Sequence, residues 1–295
     1  MNNMFIKDCP LCQCKQTQRV YVTKDFFLSQ EEFEIWECTS CRVRFTVPVP
    51  SEEEIKNYYK KDEYYSHITT HKSFIFYIYD FIRKVNLRKK NKFIQENLHI
   101  NKGRLLDVGC GSGDFLLYMS NCGWNCTGVE PDEQSRNYLN AMNKFTVFSS
   151  LDEVKIETGF DLITFWHVIE HFHQPTEAIQ KAYHLLNDDG VLLIAVPNYD
   201  SPDAEYFMSY WAAWDVPRHL FHFNKQSLSY LLNHNLFHIS RFSGLYFDVF
   251  YISYLSQKYL KKFMPLITGA IVGLRLWIKA KLQNNPSSLV VIAKK

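Results

Sequence analysis

The spacing of apolar residues changes character along the 295-residue chain. In RVYVTKDFFLSQEEFEIWE, residues 19–37, apolar and polar positions alternate around a polar centre, which predicts strands joined by a turn. A VPVP linker follows, and Ser51 then stands three residues before Glu54, the spacing of a capping box that opens a helix. Further on, Phe74, Ile78, Phe81, Ile82, Val85 and Phe93 recur at helical spacing. From Gly103 short apolar runs alternate with helical segments. RLLDVG, NCTGVE, FTVFS, FDLITFW and VLLIAV read as strands, with helices beginning near Asp114, Pro131, Pro175 and Lys225. That order predicts an α/β doubly wound, mostly parallel sheet, with its ligand beyond the carboxyl ends of the strands. HISRF and the terminal SSLVVIAKK read as two more strands, the last one antiparallel, around a helical insertion at about 245–286.

Three segments are expected: a small N-terminal module over 1–50, a helical linker that covers the cleft over 51–102, and the sheet domain over 103–295. Apolar residues at 46% and charged residues at 22% are those of a globular chain and exclude a disordered or collagen-like one. A formal net charge of +2 argues against a dedicated nucleic-acid binder. The first residues lack a charged leader with an apolar run, and no uncharged apolar stretch reaches 18 residues. The expectation is therefore a cytoplasmic protein with reduced cysteines.

Four of the eight cysteines form two pairs, Cys9-Pro-Leu-Cys12 and Cys38-Thr-Ser-Cys41, at either end of the predicted strands. Two C-x-x-C knuckles on a short sheet make a zinc ribbon, in which four thiolates close a tetrahedron and leave no open position. Its zinc would be structural. Cys14 is a spare thiol that leaves a Cys12/Cys14 alternative open.

The sharpest local pattern is LLDVGCGSG, residues 105–113, in which a strand ends in Asp107 and turns through Gly109, Cys110, Gly111 and Gly113 into a helix. The spacing differs from a dinucleotide-binding loop, and Asp107 would repel a pyrophosphate. It suits a ligand with a positive centre and an amino group. Seventeen residues after Gly113 a second strand ends in Glu130, followed by Pro131, and a carboxylate there can accept both hydroxyls of a ribose.

On these motifs the stretch from about Gly103 to Asn198 resembles a class I S-adenosylmethionine-dependent methyltransferase: LLDVGCGSGDF, GVEPD, FDLITFWHVIEH and HLLNDDGVLLIAVPN match four successive motifs of that family. The resemblance implies a seven-stranded sheet. It also implies that Asp107, Gly109, Cys110, Gly111 and Gly113 line the methionine half of the cofactor. Glu130 and Pro131 would meet the ribose. Ser150, Leu151 or Asp152 would meet the adenine, and Trp166 and His167 would face the methyl-transfer cleft. With its zinc-ribbon start, the aromatic YYKKDEYYSH stretch that holds Tyr65, and WDVPRHLFHF, the chain also looks like bacterial methyltransferases of cell-surface saccharide assembly. Sugar C-methyltransferases carry a similar N-terminal zinc module and usually a further C-terminal domain, for which this chain has no room.

His167, Glu170 and His171 share one helical face by spacing, and any of them can act as a general base. Ubiquinone-pathway O-methyltransferases resemble this stretch and associate a metal with a Glu-x-x-Glu-His pattern whose first acid is His167 here. A third reading has Glu170 and His171 merely tie the loop together. After the fifth strand, Trp214, Arg218 and His219 are expected, with Tyr65, to meet the acceptor. Arg218 either pairs with an anionic substrate or locks Asp215, and the tryptophans either bind or pack. The insertion, apolar with Lys258, Lys261, Lys262, Arg275, Lys279 and Lys281 on its border, either packs on its own domain or lies on a membrane interface or a partner. Together these features predict methyl transfer from S-adenosylmethionine to a small-molecule or lipid-linked acceptor, such as a saccharide. An RNA methyltransferase that grips nucleic acid through the ribbon is the alternative. The apolar acceptor would put the protein at the inner face of a membrane.

Overall fold

The computed structural model describes residues 8–59, 74–98, 102–155 and 158–295, with residues 74–84 as backbone. Tyr65 lies outside the described residues. The chain divides into two compact units. One holds Met1–Tyr59, Trp166–Gln180 and Ile194–Ala293, and the other Lys60–Phe165, Lys181–Leu193 and Lys294–Lys295.

The first unit starts with β1 (Thr17–Lys24), β2 (Glu32–Cys38) and β3 (Arg44–Val47), an antiparallel meander. Alternation puts Phe33 and Ile35 on one face of the meander and Phe45, opposite Trp36, on the other, each no more than 3% exposed. Glu37, on the same face of β2 as Phe33 and Ile35, is buried too and is held by Arg42 and Arg44, each at 2.6 Å.

The second unit contains the helix α1 (Phe74–Leu98) and then β4 (Arg104–Val108), α2 (Asp114–Asn121), β5 (Asn125–Val129), α3 (Glu133–Ala141), β6 (Thr146–Phe148) and β7 (Phe160–Trp166). The chain continues through α4 (Pro175–Leu185) and the twelve-residue β8 (Leu186–Pro197). β4 pairs in parallel with β5 and with β7, and β5 with β6. The runs Leu105–Val108 and Leu162–Phe165 are buried throughout, as strands covered on both faces require. Asp132 caps α3 by accepting the Ser135 N–H at 2.8 Å, so this helix starts two residues after Pro131.

The remaining elements of the first unit are α5 (Pro202–Phe207), β9 (Phe221–His222), α6 (Lys225–Asn233), β10 (His238–Leu245), α7 (Asp248–Tyr259), α8 (Pro265–Gln283) and β11 (Ser288–Lys294). A reciprocal capping box between Asn224 and Ser227 opens α6. The large sheet has seven strands in the order β10–β11–β8–β7–β4–β5–β6.

β3 leaves an edge of unpaired backbone groups, and β9, some 170 residues later, takes it, with Arg44 opposite His222 and Phe45 opposite Phe221. The ribbon strands also enter the core of the later segments. Phe33 and Ile35 cluster with Trp211, Trp214, Val249, Ile252 and Leu276. The insertion is a pair of helices, α7 and α8, packed at close range: a Cβ at Gly269 would stand 2.7 Å from Tyr254 Cα.

Candidate functional site

In the second unit, Asp107 and Glu130 end adjacent parallel strands. Asp107 is 3% exposed and accepts a 2.6 Å hydrogen bond from Thr164 Oγ1 on β7. Burial pushes its carboxyl up to about 7, although Thr164 and the charge of Lys90 work the other way and Glu130 adds to the rise. A buried acid raised in this way suits a cationic ligand, which would draw the carboxyl into its ionised form. The loop that follows has Gly109, Gly111 and Gly113 at φ 69°, 52° and 72°, the left-handed region. At Gly113 a Cβ would meet Leu139 at 2.3 Å, whereas one at Gly111 would meet nothing within 4 Å. Packing thus reserves Gly113 for glycine, and Gly111 borders open space on its Cβ side.

Glu130, 4% exposed, accepts the N–H of Gly111 at 2.8 Å through Oε2 and the N–H of Asp132 at 2.9 Å through Oε1. A carboxylate oriented in this way can accept two hydroxyls on adjacent ring carbons. Pro131 is exposed, Leu151 is buried in a short 3-10 turn and Ser150 is half-buried before it. Asp152 pairs with Lys181 at 2.8 Å on the surface. The cradle fits a ligand with a cationic end and a vicinal diol.

In the first unit, Trp166 is half-buried, and His167 carries φ +57°, a strained conformation for a residue with a side chain. Its Nδ1 lies 3.7 Å from Glu170 Oε1 and its Nε2 3.7 Å from Asp248 Oδ2. Glu170 is 1% exposed. Burial works to raise its carboxyl, but His167 opposite it and the charges of His219 and His171 outweigh that, and its pKa falls. Burial and His219 lower the pKa of His171. His171 Nδ1 donates to Arg218 O at 2.9 Å and His219 Nδ1 to Ala213 O at 2.9 Å. One ligand atom from each of Glu170, His171 and His219 falls within 4.8 Å of the others. The residue that joins Glu170 and His171 in that group is thus His219, not the His167 of the sequence spacing. Tyr59 adds a hydroxyl 3.3 Å from His171 Nδ1.

Arg218 and Trp214 are committed inside the fold, so the expected acceptor contacts give way to packing. Arg218 is 5% exposed and binds Asp215 through Nε at 3.0 Å and Nη2 at 2.7 Å. Its Nη2 also reaches Asp25 at 3.0 Å and its Nη1 the carbonyl of Tyr58 at 2.9 Å. Trp214, 1% exposed, donates to Met208 O at 2.7 Å and stacks edge-on against Trp211 at 5.0 Å. A loop that must bury two indoles and a guanidinium closes on itself and leaves none of these groups to solvent.

Sequence reasoning missed Asp25, Tyr59, Thr164 and Asp248. Thr164 had a signal, since it lies on the same strand as the recognised FDLITFW run. The other three come from distant segments with no motif around them.

Near the start of the chain, Cys9, Cys12, Cys38 and Cys41 bring their sulfurs within 4.8 Å of one another. Cys9 and Cys41 are 3.6 Å apart, and Cys12 and Cys38 3.4 Å. A tetrahedral zinc with Zn–S near 2.3 Å needs edges of about 3.8 Å, so the donor set fits that ion with little adjustment. The contact with Cys41 lowers the Cys9 thiol, and the same contact together with burial raises that of Cys41.

A glycine loop between an acid-ended strand and a helix, a second acid on the neighbouring strand and a mostly parallel seven-stranded sheet define a class I S-adenosylmethionine-dependent methyltransferase fold. The family described as methyltransferase domain matches residues 80–238, more than half of the chain, and the chain belongs to that family. An uncharacterized methyltransferase of Staphylococcus carnosus (strain TM300) is 25% identical over 114 residues, 38% of this chain and 55% of its own length. The ubiquinone biosynthesis O-methyltransferase of Glaesserella parasuis serovar 5 (strain SH0165) is 31% identical over 107 residues, 32% of this chain and 45% of its own. The chain thus spans about half the length of the curated relatives it matches. Among solved structures, the plantazolicin methyltransferase BpumL in complex with SAH aligns at a TM-score of 0.50 and 16% identity, covering 83% of this chain and 91% of that one. The likeness extends the shared fold well beyond the matched motifs.

Proposed function

We propose that the protein transfers a methyl group from S-adenosylmethionine to a hydroxyl of a small-molecule acceptor, with His167 as general base and Glu170 as the group that orients it. The observation that carries the reading is the preformed cradle, in which Glu130 is fixed by two backbone N–H groups beside an open Gly111 while Asp107 stays buried. Asp107 holds the cationic amino-acid end, Glu130 the ribose hydroxyls, and Ser150 and Leu151 the adenine. When bound, the cofactor supplies an electrophilic methyl group on a sulfonium. Positioning provides much of the acceleration in such a displacement. His167 Nε2 takes the acceptor's hydroxyl proton while its Nδ1–H faces the buried Glu170 carboxylate, which stabilises the imidazolium. The relatives named as ubiquinone biosynthesis O-methyltransferases favour oxygen as the methylated atom and a phenol-like or apolar acceptor. In the finer reading that acceptor is lipid-linked, and saccharides belong in the same screen.

The four cysteines near the N-terminus would hold one structural zinc, which cross-links the turn before β1 to the β2–β3 turn. The RNA-acting alternative draws no support from these relatives.

The test combines three proteins in one assay. Wild type, His167→Gln and Glu170→Gln are compared for calorimetric binding of S-adenosylhomocysteine and for transfer of labelled methyl onto phenolic, nucleotide-sugar and lipid extracts. The expected result is normal cofactor affinity in all three, with turnover reduced at least about a hundredfold in His167→Gln, the scale of general-base catalysis. Normal turnover in both variants would remove His167 and Glu170 from the chemistry. Failure of the wild type to bind S-adenosylhomocysteine would remove the activity itself.

A further inference from the structure

The helix α8 has two apolar stripes where folding needs one. Gly269, Gly273, Leu276 and Ala280 point inward and are buried. Ile267, Ile271, Leu274, Ile278 and Leu282 recur at the same three-and-four spacing, displaced by two positions, and at 100° per residue that places them on the opposite side. These five are 52%, 58%, 50%, 46% and 83% exposed. Phe263 and Leu266, in the turn before the helix and in its first turn, are 85% and 70% exposed. An apolar helix face of about four consecutive turns is far more than the scattered apolar exposure of an ordinary surface.

Charge identifies what covers it. After Asp248 the chain carries eight of its 33 lysines and arginines and none of its 31 acidic residues. Lys258, Lys261 and Lys262 stand exposed before the turn, and Arg275 and Lys281 flank the outward stripe at about 60° on either side. Lys279 is taken by Glu205 at 2.8 Å and Lys281 Nζ lies 3.7 Å over the Tyr246 ring, so Lys258, Lys261, Lys262 and Arg275 are the cations that border the face. A second copy of the chain, paired about a two-fold axis, would set these cations against their own image. Among the described helices none is long and apolar enough to cross a membrane. A helix that is apolar on its outer face and bordered by cations with aliphatic stems lies in the plane of an interface, its lysines and arginines reaching up to the headgroups.

We propose that the outer face of α8 and the turn before it dock on an anionic lipid surface. The face is built independently of any methyl transfer, so the proposal stands whether or not the acceptor is a lipid. It also explains why residues 263–282 keep a hydrophobic surface that the fold does not use.

The experiment is co-sedimentation of the full chain with extruded vesicles, either of phosphatidylcholine alone or of phosphatidylcholine with a quarter phosphatidylglycerol. Three proteins are compared: wild type, the double variant Ile271→Glu/Leu274→Glu, and Lys261→Glu/Lys262→Glu. All substituted side chains face solvent, and thermal melting with S-adenosylhomocysteine affinity checks that each variant is folded. Wild type should partition onto the anionic vesicles at least about tenfold more than onto neutral ones and come off as salt rises, and each double variant should lose about tenfold or more. Three results would overturn the proposal. One is no sedimentation with either vesicle. Another is sedimentation unaffected by Ile271→Glu/Leu274→Glu. The third is self-association in sedimentation velocity that this variant abolishes, which would assign the face to a second copy. None of these readouts depends on methyl transfer, so they separate failure of lipid docking from failure of the enzymatic reading.

Discussion

Arg218 Nη2 meets Asp25 Oδ1 at 3.0 Å, and the two side chains, 193 positions apart in sequence, are 6% and 0% exposed. Asp25 is braced from its own side by the N–H groups of Phe27, Leu28 and Ser29, and Arg218 by the bidentate contact with Asp215. The pair ties the β1–β2 turn to the loop that follows β8, and it accounts for the burial of a loop that looks, by composition, made for binding.

Arg218→Ala leaves Asp25 buried without its cation, so stability should fall by about 3–5 kcal/mol. Arg218→Lys should recover little, because an ammonium cannot reach Asp25, Asp215 and the Tyr58 carbonyl as one planar fork. Differential scanning calorimetry reads both. Unchanged melting in Arg218→Ala would show that the ion pair contributes nothing. Burial alone would raise the carboxyls of Asp25 and Asp215, but their hydrogen bonds and Arg218 depress both. Their contribution is therefore present above the ordinary Asp value near 3.9 and is lost as pH falls through the depressed values, so wild type should melt progressively lower below about pH 4.

Glu130→Ala removes the proposed acceptor of the ribose hydroxyls along with the brace on Gly111. Hydrogen bonds to a charged group are worth roughly 1.5–3 kcal/mol each, so affinity for S-adenosylhomocysteine should drop at least about tenfold. Isothermal calorimetry measures it, with a melting curve to check the fold. Unaltered affinity in a folded variant would place the ribose elsewhere.

Asp107 works in the opposite sense from Asp25. Its folded carboxyl sits at about 7, above the unfolded value near 3.9. The folded state then holds a proton that the unfolded state releases. Stability from this group is full below about pH 4 and declines as pH rises through 7. A cationic ligand reverses the preference, so cofactor affinity should rise between about pH 6 and 8, with a proton released on binding near pH 6. Calorimetry in buffers of different ionisation heat detects that proton. Asp107→Asn should abolish both the release and the pH dependence of affinity.

The zinc proposal predicts one equivalent of metal in carefully purified protein, lost on strong chelation. Because β9 pairs with β3 and Phe33 and Ile35 share a core with Trp214 and Leu276, chelation should destabilise the whole first unit and not a detachable ribbon. Plasma emission spectroscopy with melting curves before and after chelation tests this. Full metal loss with unchanged melting would make the cysteines incidental to stability.

Local pattern along the chain was enough to locate the parallel strands, the glycine loop, the two acids and the cysteine quartet. Each of these is a short-range matter. Strand burial imposes continuous apolar runs, a left-handed turn demands glycine, and two thiolates in a C-x-x-C knuckle reach one ion. Ser51 and Glu54 likewise cap each other as their spacing requires. Tertiary structure alone decided what the long-range partners were. Nothing near Asp25 announces Arg218, nothing near Arg44 announces His222, and nothing near His167 announces Asp248. The roles of Trp214 and Arg218 turned on the same point. A polar and aromatic loop suits a ligand or a core equally well, and only the distant residues that satisfy its charge and cover its rings determine which. The two stripes of α8 were both present in its sequence, but a helix that is apolar all round does not say which side the protein will use. The small residues at Gly269 and Gly273 settled it by letting α7 come close, which left the bulky stripe facing outward.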